Sequence, residues 1–189
     1  MGMGAIVATC AAWLSVATAT AVADAPRSAR ILEGRSLAGV SLGAEVRLAS
    51  TGDAARSGVP AGWGPVRGES CFEGTNCSWD VAGGGTVEVI LDARNSRVQR
   101  VATSAAGWHT ARGIGRGSTT AALQRAYGQR IVRRATCGLN GFGGVSTGFV
   151  LNTRQDGQRR FTFFELSPSR SRVSRVWIGR GRAPAGTVC

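Results

Sequence analysis

A chain of 189 residues carrying 23 basic side chains, 11 acids and a single His has a formal net charge of +12. Every basic residue is Arg, so a P-loop is excluded for want of its lysine, and one His leaves a zinc site without its usual ligand inventory. Heavy Ala and Gly use beside the absence of Lys reads as GC-rich coding, which explains Arg in place of Lys. It does not explain the excess over acid: residues 1–108 hold 9 Arg against 9 acids, residues 109–189 hold 14 against 2.

In chain order, Ala5 to Ala23 is almost wholly apolar or small and ends in Ala21-Val22-Ala23 before Asp24. This reads as a signal peptide over residues 1–23, although no basic residue precedes Arg27. A lipoprotein anchored at Cys10 and a retained membrane anchor are the alternatives. No later segment is apolar enough to span a bilayer, so the expected location is secreted, extracellular or associated with the cell envelope. Four cysteines follow the leader: Cys71, Cys77, Cys137 and Cys189. An even count in an exported chain predicts two disulfides, with three possible connectivities. Cys71–Cys77 and Cys137–Cys189 are the favoured pairs, stabilising by about 2 and about 4 kcal/mol in the chain-entropy view. A free or intermolecular Cys189 is the alternative.

The first repeat is expected over residues 24–104. Gly39-Val-Ser-Leu-Gly43 leads into a short apolar run, Ala44 to Gly52, read as a helix. A Gly/Ala/Ser/Pro-rich loop follows to Ser70. Thr86 to Leu91 alternates apolar and polar residues, predicting a half-buried antiparallel strand, and Val98 to Thr103 closes the unit. Residues 105–112 read as a linker. The second repeat, residues 113–189, opens on Gly113-Ile-Gly-Arg-Gly-Ser118, then Thr119 to Gly128. Ser118 is the expected N-cap and Gly128 the left-handed stop of a helix. Strands are predicted near Arg130–Arg134, Thr147–Thr153, Arg159–Leu166 and Val173–Ile178, with Asp156-Gly157 turning the middle hairpin.

The two stretches echo one another. Both carry G-[V/I]-x-x-G before a helix, and Ser96-Arg-Val-Gln-Arg-Val101 is matched by Ser171-Arg-Val-Ser-Arg-Val176. The expected fold class is therefore α+β: two tandem homologous units, each a short helix plus a three- to four-stranded antiparallel sheet. With its Cys-bearing loop, this tandem layout resembles duplicated secreted proteins of actinobacteria. It is also loosely similar to the β-lactamase inhibitor protein. The likeness covers residues 36–103 and 110–179. It implies the fold rather than inhibition, and no inhibitory residue is carried over.

Gly144-Val-Ser-Thr-Gly148 spells G-x-S-x-G, but a β-rich run follows where a nucleophile elbow needs a helix. His109 also precedes Ser146, opposite to the chain order of such hydrolases. A serine hydrolase is thus the weakest of three readings; no catalytic residue, cofactor or metal ligand is assigned. The leading reading is a secreted, non-enzymatic binding protein, possibly inhibitor-like, with Trp63, Trp79, Trp108 and Trp177 as aromatic anchors. Its alternative is an envelope-associated protein that binds an anionic polymer through Arg116, Arg170, Arg172, Arg175, Arg180 and Arg182. The expected partner is an unknown protein or an anionic cell-envelope polymer, not nucleic acid. If Val176 and Ile178 face the core, Arg175 and Trp177 project together from the other face.

Overall fold

A computed structural model of the chain describes residues 31–45, 67–72 (backbone), 75–94, 96–137 and 144–183. The strands are β1 (Ile31–Leu32), β2 (Ser36–Leu37), β3 (Val40–Ser41), β4 (Arg67–Phe72), β5 (Asn76–Asp80), β6 (Thr86–Leu91) and β7 (Val98–Thr103). Helix α1 (Thr120–Tyr127) follows, then β8 (Ile131–Cys137), β9 (Val145–Gln155), β10 (Gln158–Leu166) and β11 (Val173–Arg180). β1–β3 form a three-stranded sheet, and all the others form one eight-stranded antiparallel sheet in the order β4-β5-β6-β7-β11-β10-β9-β8.

This architecture corrects the α+β expectation. The molecule is mostly β, with one α-helix among the described residues and no separate sheet for each half. Two physical causes account for the difference. First, β7 and β11 satisfy their backbone groups on each other, so the last strands of the two halves zip into one sheet. Second, the glycines before the expected first helix build a hairpin instead: Ala38 and Gly39 hold φ of 54° and 83°, and β2 pairs with β3. Glu45 then bridges to Arg97. The remainder of that expected helix, residues 46–52, lies outside the described residues.

The central pairing is self-complementary. Trp177 opposes Ala102, Val176 opposes Thr103 and Ile178 opposes Val101, and Val101/Val176, Ala102/Trp177 and Thr103/Ile178 are each 75 positions apart. A local two-fold relation therefore passes through the Ala102–Trp177 pair. Backbone clips repeat as well, 75 positions apart on the strand side and 74 on the glycine side. Gly43 N donates to Val98 O (2.8 Å) and Gly117 N to Val173 O (2.8 Å), and Val98 N returns to Ala44 O (2.9 Å) as Val173 N does to Ser118 O (2.8 Å). Arg97 Nη1 donates to Gly43 O (3.1 Å), and Arg172 Nη1 to Gly117 O (2.8 Å).

Helix α1 starts one residue later than the Ser118 cap implies. Thr119 is the N-cap, its hydroxyl accepting from Ala122 N at 3.1 Å, while Ser118 Oγ accepts from Gly115 N and closes the preceding glycine turn. Gly128 caps the C-terminus at φ 53°. Leu123 and Tyr127, four apart, fall on one face and bury it against the sheet. Tyr127 Oη donates to Glu33 Oε1 (2.6 Å) and meets Thr110 Oγ1 (2.9 Å), tying the helix to the β1–β2 segment. Burial and the Glu33 carboxylate both push this phenol above its ordinary pKa.

The eight-stranded sheet thus has a face covered by the helix and an opposite, open face that is buried at its centre and exposed at the strand ends, at Asn152, Arg154 and Arg159. On the helix side Val87, Val89, Val101, Phe164, Val176 and Ile178 join Ile31, Leu37 and Leu123 in one core that draws on both halves. On the other side Ala102, Val150, Phe161, Phe163 and Trp177 form a smaller cluster. Trp108 and Thr110, read as linker, are buried, and Thr110 bridges to Ile31. Cys77 and Cys137 each take part in a disulfide, and the register sets the Cys71 backbone directly opposite Cys77.

Candidate functional site

Alternation along β10 and β11 sends Phe164, Val176 and Ile178 to the helix side and Glu165, Arg175 and Trp177 to the open face. There they join a polar network that crosses the sheet. Ser146 Oγ donates to Glu165 Oε1 at 2.9 Å, and Trp177 Nε1 donates to Glu165 Oε2 at 2.8 Å. The Arg175 guanidinium lies 5.5 Å from the centroid of the Trp177 ring, and its Nη1 is 2.9 Å from Glu88 Oε1. Only Ala102 stands between Glu88 and Trp177 in the register, and its small side chain leaves room for Arg175 to reach over. Burial pushes the Glu88 carboxyl above its ordinary value; Arg175 pulls it back down and the Glu165 charge adds to the rise.

Chemically this network is closed. Ser146 sits inside β9 and gives its proton to a carboxylate already held by an indole. His109, whose Nδ1 meets Gly107 O at 2.9 Å, is bridged to Gly115 in the connector before α1. Nucleophile and base are therefore not brought together. Among the described residues no group of three His, Cys, Asp or Glu could hold a metal, and no helix is long and apolar enough to cross a membrane.

The three described tryptophan anchors do not present a binding surface. Trp79, Trp108 and Trp177 are all buried in the two clusters, and Trp63 lies outside the described residues. Interfacial hot spots need aromatic rings that a partner can desolvate, which these already are.

The candidate arginines are dispersed. Arg116 Nη1 donates to Ser104 O (2.8 Å) and Arg172 to Gly117 O, both at the glycine turn before α1, with Arg170 exposed in the β10–β11 turn. Arg175 is committed to Glu88. Arg180 points to the helix side, with its guanidinium near Gly43, while Arg182 lines the open face. Arg172, Arg175 and Arg180 therefore do not share one face, because 172 precedes an irregularity in the β10–β11 register and 175 and 180 differ by an odd number.

What gathers instead is a different set. A cleft of about 560 Å³ opens over the end of β8–β9–β10, lined by Arg134, Arg154, Arg159, Arg160 and Arg182 together with Asn152 and Thr153 and, among the described residues, no acid. Arg134, Arg154, Arg159 and Arg182 are exposed. Three neighbouring strands each contribute an arginine here, a convergence that spacing within one strand cannot reveal. The available signal was the pair of Arg-Arg steps, 133–134 and 159–160. One member of each lies on either face of its strand.

No known family matches the chain, and neither a curated protein nor a solved structure matches it.

Proposed function

We propose that this is an exported, non-enzymatic binding protein that engages an anionic polymer through the arginine-lined cleft on its open face. The observation that carries this reading is the cleft itself: five arginines, an amide and, among the described residues, no carboxylate around about 560 Å³. Guanidinium groups hold their charge at any physiological pH and offer forked donors to carboxylate, sulfate or phosphate oxygens. With Trp79, Trp108 and Trp177 buried and most acids in the other half, the polymer reading gains over aromatic anchoring to a protein.

Retention of the full chain on immobilised heparin should fall steeply with salt, because each contact releases a counterion. Replacing Arg134, Arg154, Arg159 and Arg182 together by Gln should flatten the dependence of log K on log salt by about 3, taking roughly 0.7–0.9 per lost contact. Unchanged retention of that variant, with its fold intact, would overturn the reading. Export also implies the bridges Cys71–Cys77 and Cys137–Cys189. Non-reducing peptide mapping should return these two pairs, and a Cys71–Cys137 peptide would refute them.

A further inference from the structure

On the helix side of the sheet three polar residues lie in one row across β9, β10 and β11. Thr153 opposes Arg160, and Arg160 opposes Arg180. The row sits beneath the β1–β2 turn: Gly34 N donates to Thr162 Oγ1 at 3.0 Å, and a Cβ on Gly34 would come within 2.3 Å of Thr153 Oγ1 and 3.0 Å of Arg160 Cβ. Arg160 is only 8% exposed. Its guanidinium makes one hydrogen bond, to Gln158 Oε1 at 3.2 Å, while Nε and Nη1 have no partner and neither does Thr153 Oγ1.

Two like charges directly opposed on adjacent strands repel, and a buried guanidinium with idle donors is costly. Burial and Arg180 both pull the Arg160 pKa below its ordinary value; Asp156, in the exposed hairpin turn, opposes them. Natural structures keep such an arrangement where a ligand, ion or water completes it. Arg180 and Gln158 also border a cleft of about 420 Å³ that opens to solvent. Its one acid, Asp92, is turned to its own loop, where Oδ1 accepts from Arg94 N at 2.9 Å.

We propose that Arg160 and Arg180, with the Thr153 hydroxyl, form a site for one phosphate-sized oxyanion, with Arg160 and Thr153 reached from the first cleft and Arg180 from the second. Two guanidinium groups neutralise its charge, Arg160 Nε and Nη1 donate to its oxygens as a fork, and Thr153 supplies a further donor. Inorganic phosphate or sulfate and the phosphoryl end of a larger ligand present the same chemistry. Arg160 and Thr153 also border the polymer cleft, whereas Arg180 does not, so loss of phosphate binding in Arg180→Gln with heparin retention unchanged separates this site from that reading.

Calorimetric titration of the full chain with sodium phosphate, at ionic strength held constant with chloride, tests this. One saturable site per chain is expected, at least tenfold weaker in Arg180→Gln and in Arg160→Met, and unchanged in Arg134→Gln and Arg182→Gln. Arg160→Met should also unfold at no lower temperature than the parent in chloride alone, since an apolar side chain replaces a charge without a counterion. Should Arg160→Met fail to fold, Arg180→Gln, at a half-buried position, carries the test. Glycerol phosphate binding as well as phosphate would mark a site for phosphoryl ends, and phosphate alone a site for the free ion; both support the assignment. Absence of saturable binding above chloride, or equal affinity in Arg180→Gln, would overturn it.

Discussion

Trp177→Ala should destabilise the protein by about 3–5 kcal/mol, the range for emptying a large aromatic from a packed core. The ring is 1% exposed, lies in the register between Ala102 and Phe163, and carries Arg175 on its face. Its loss also strands Glu165, which would keep Ser146 as its only remaining donor in the network. Trp177→Phe separates the two effects, because it fills most of the volume and removes only the indole N–H. Its cost should be about 1–3 kcal/mol, most of it the unsatisfied carboxylate, and Glu165→Gln in the same background should recover part. Urea unfolding with an unchanged m-value is the measurement. A loss under about 1 kcal/mol for Trp177→Ala would mean that the small cluster contributes little to the open face.

The same residue shows where the sequence was legible and where it was not. Alternation in Thr86–Leu91 marked that strand, because a half-buried antiparallel strand writes its two faces into the chain, and the closing strands Val98–Thr103 and Val173–Ile178 were also expected. The same parity argument put Arg175 and Trp177 on one side. Nothing local shows that β7 would pair with β11, since strand pairing is a contact between segments 75 residues apart. The α+β expectation failed at that point. The helix after Gly117 was marked by its small residues and closing glycine, whereas the earlier glycines served a hairpin, a use that G-x-x-G spacing permits equally.

Site chemistry was legible by type and not by place. Charge counting assigned the basic surplus to residues 109–189, and four exposed arginines of that half, Arg134, Arg154, Arg159 and Arg182, line the open-face cleft. The particular residues were missed because Arg134, Arg154 and Arg159 converge only when β8, β9 and β10 lie side by side. Arg160 carried no signal at all. Its burial depends on the β1–β2 turn arriving from 126 residues earlier, where Gly34 covers the Thr153–Arg160 pair.

Gly148→Ala should be among the most damaging single-atom additions, costing about 3 kcal/mol or more, whereas Ser146→Ala should cost about 1 kcal/mol. Both belong to the G-x-S-x-G stretch, and the contrast distinguishes a packing motif from a nucleophile's turn. A Cβ on Gly148 would stand 2.1 Å from the Phe164 carbonyl oxygen and 2.7 Å from the Phe163 ring. The oxygen belongs to the backbone of the paired strand, so β9 and β10 would have to part at the Gly148–Glu165 register position. Phe163 is fully buried with Val150 and Trp177 packed in the same cluster, so its ring cannot swing clear without opening that cluster. Gly179 serves Phe161 likewise, with a Cβ 2.4 Å from the ring, but there only a side chain resists. Gly179→Ala should therefore be the milder of the two. Ser146 loses one donor to Glu165, whose second oxygen keeps the Trp177 indole. Thermal unfolding of the three variants should rank Gly148→Ala lowest, then Gly179→Ala, then Ser146→Ala. If Ser146→Ala proved the least stable, the glycine would be incidental and the Ser146–Glu165 hydrogen bond would be the element that holds the open face together.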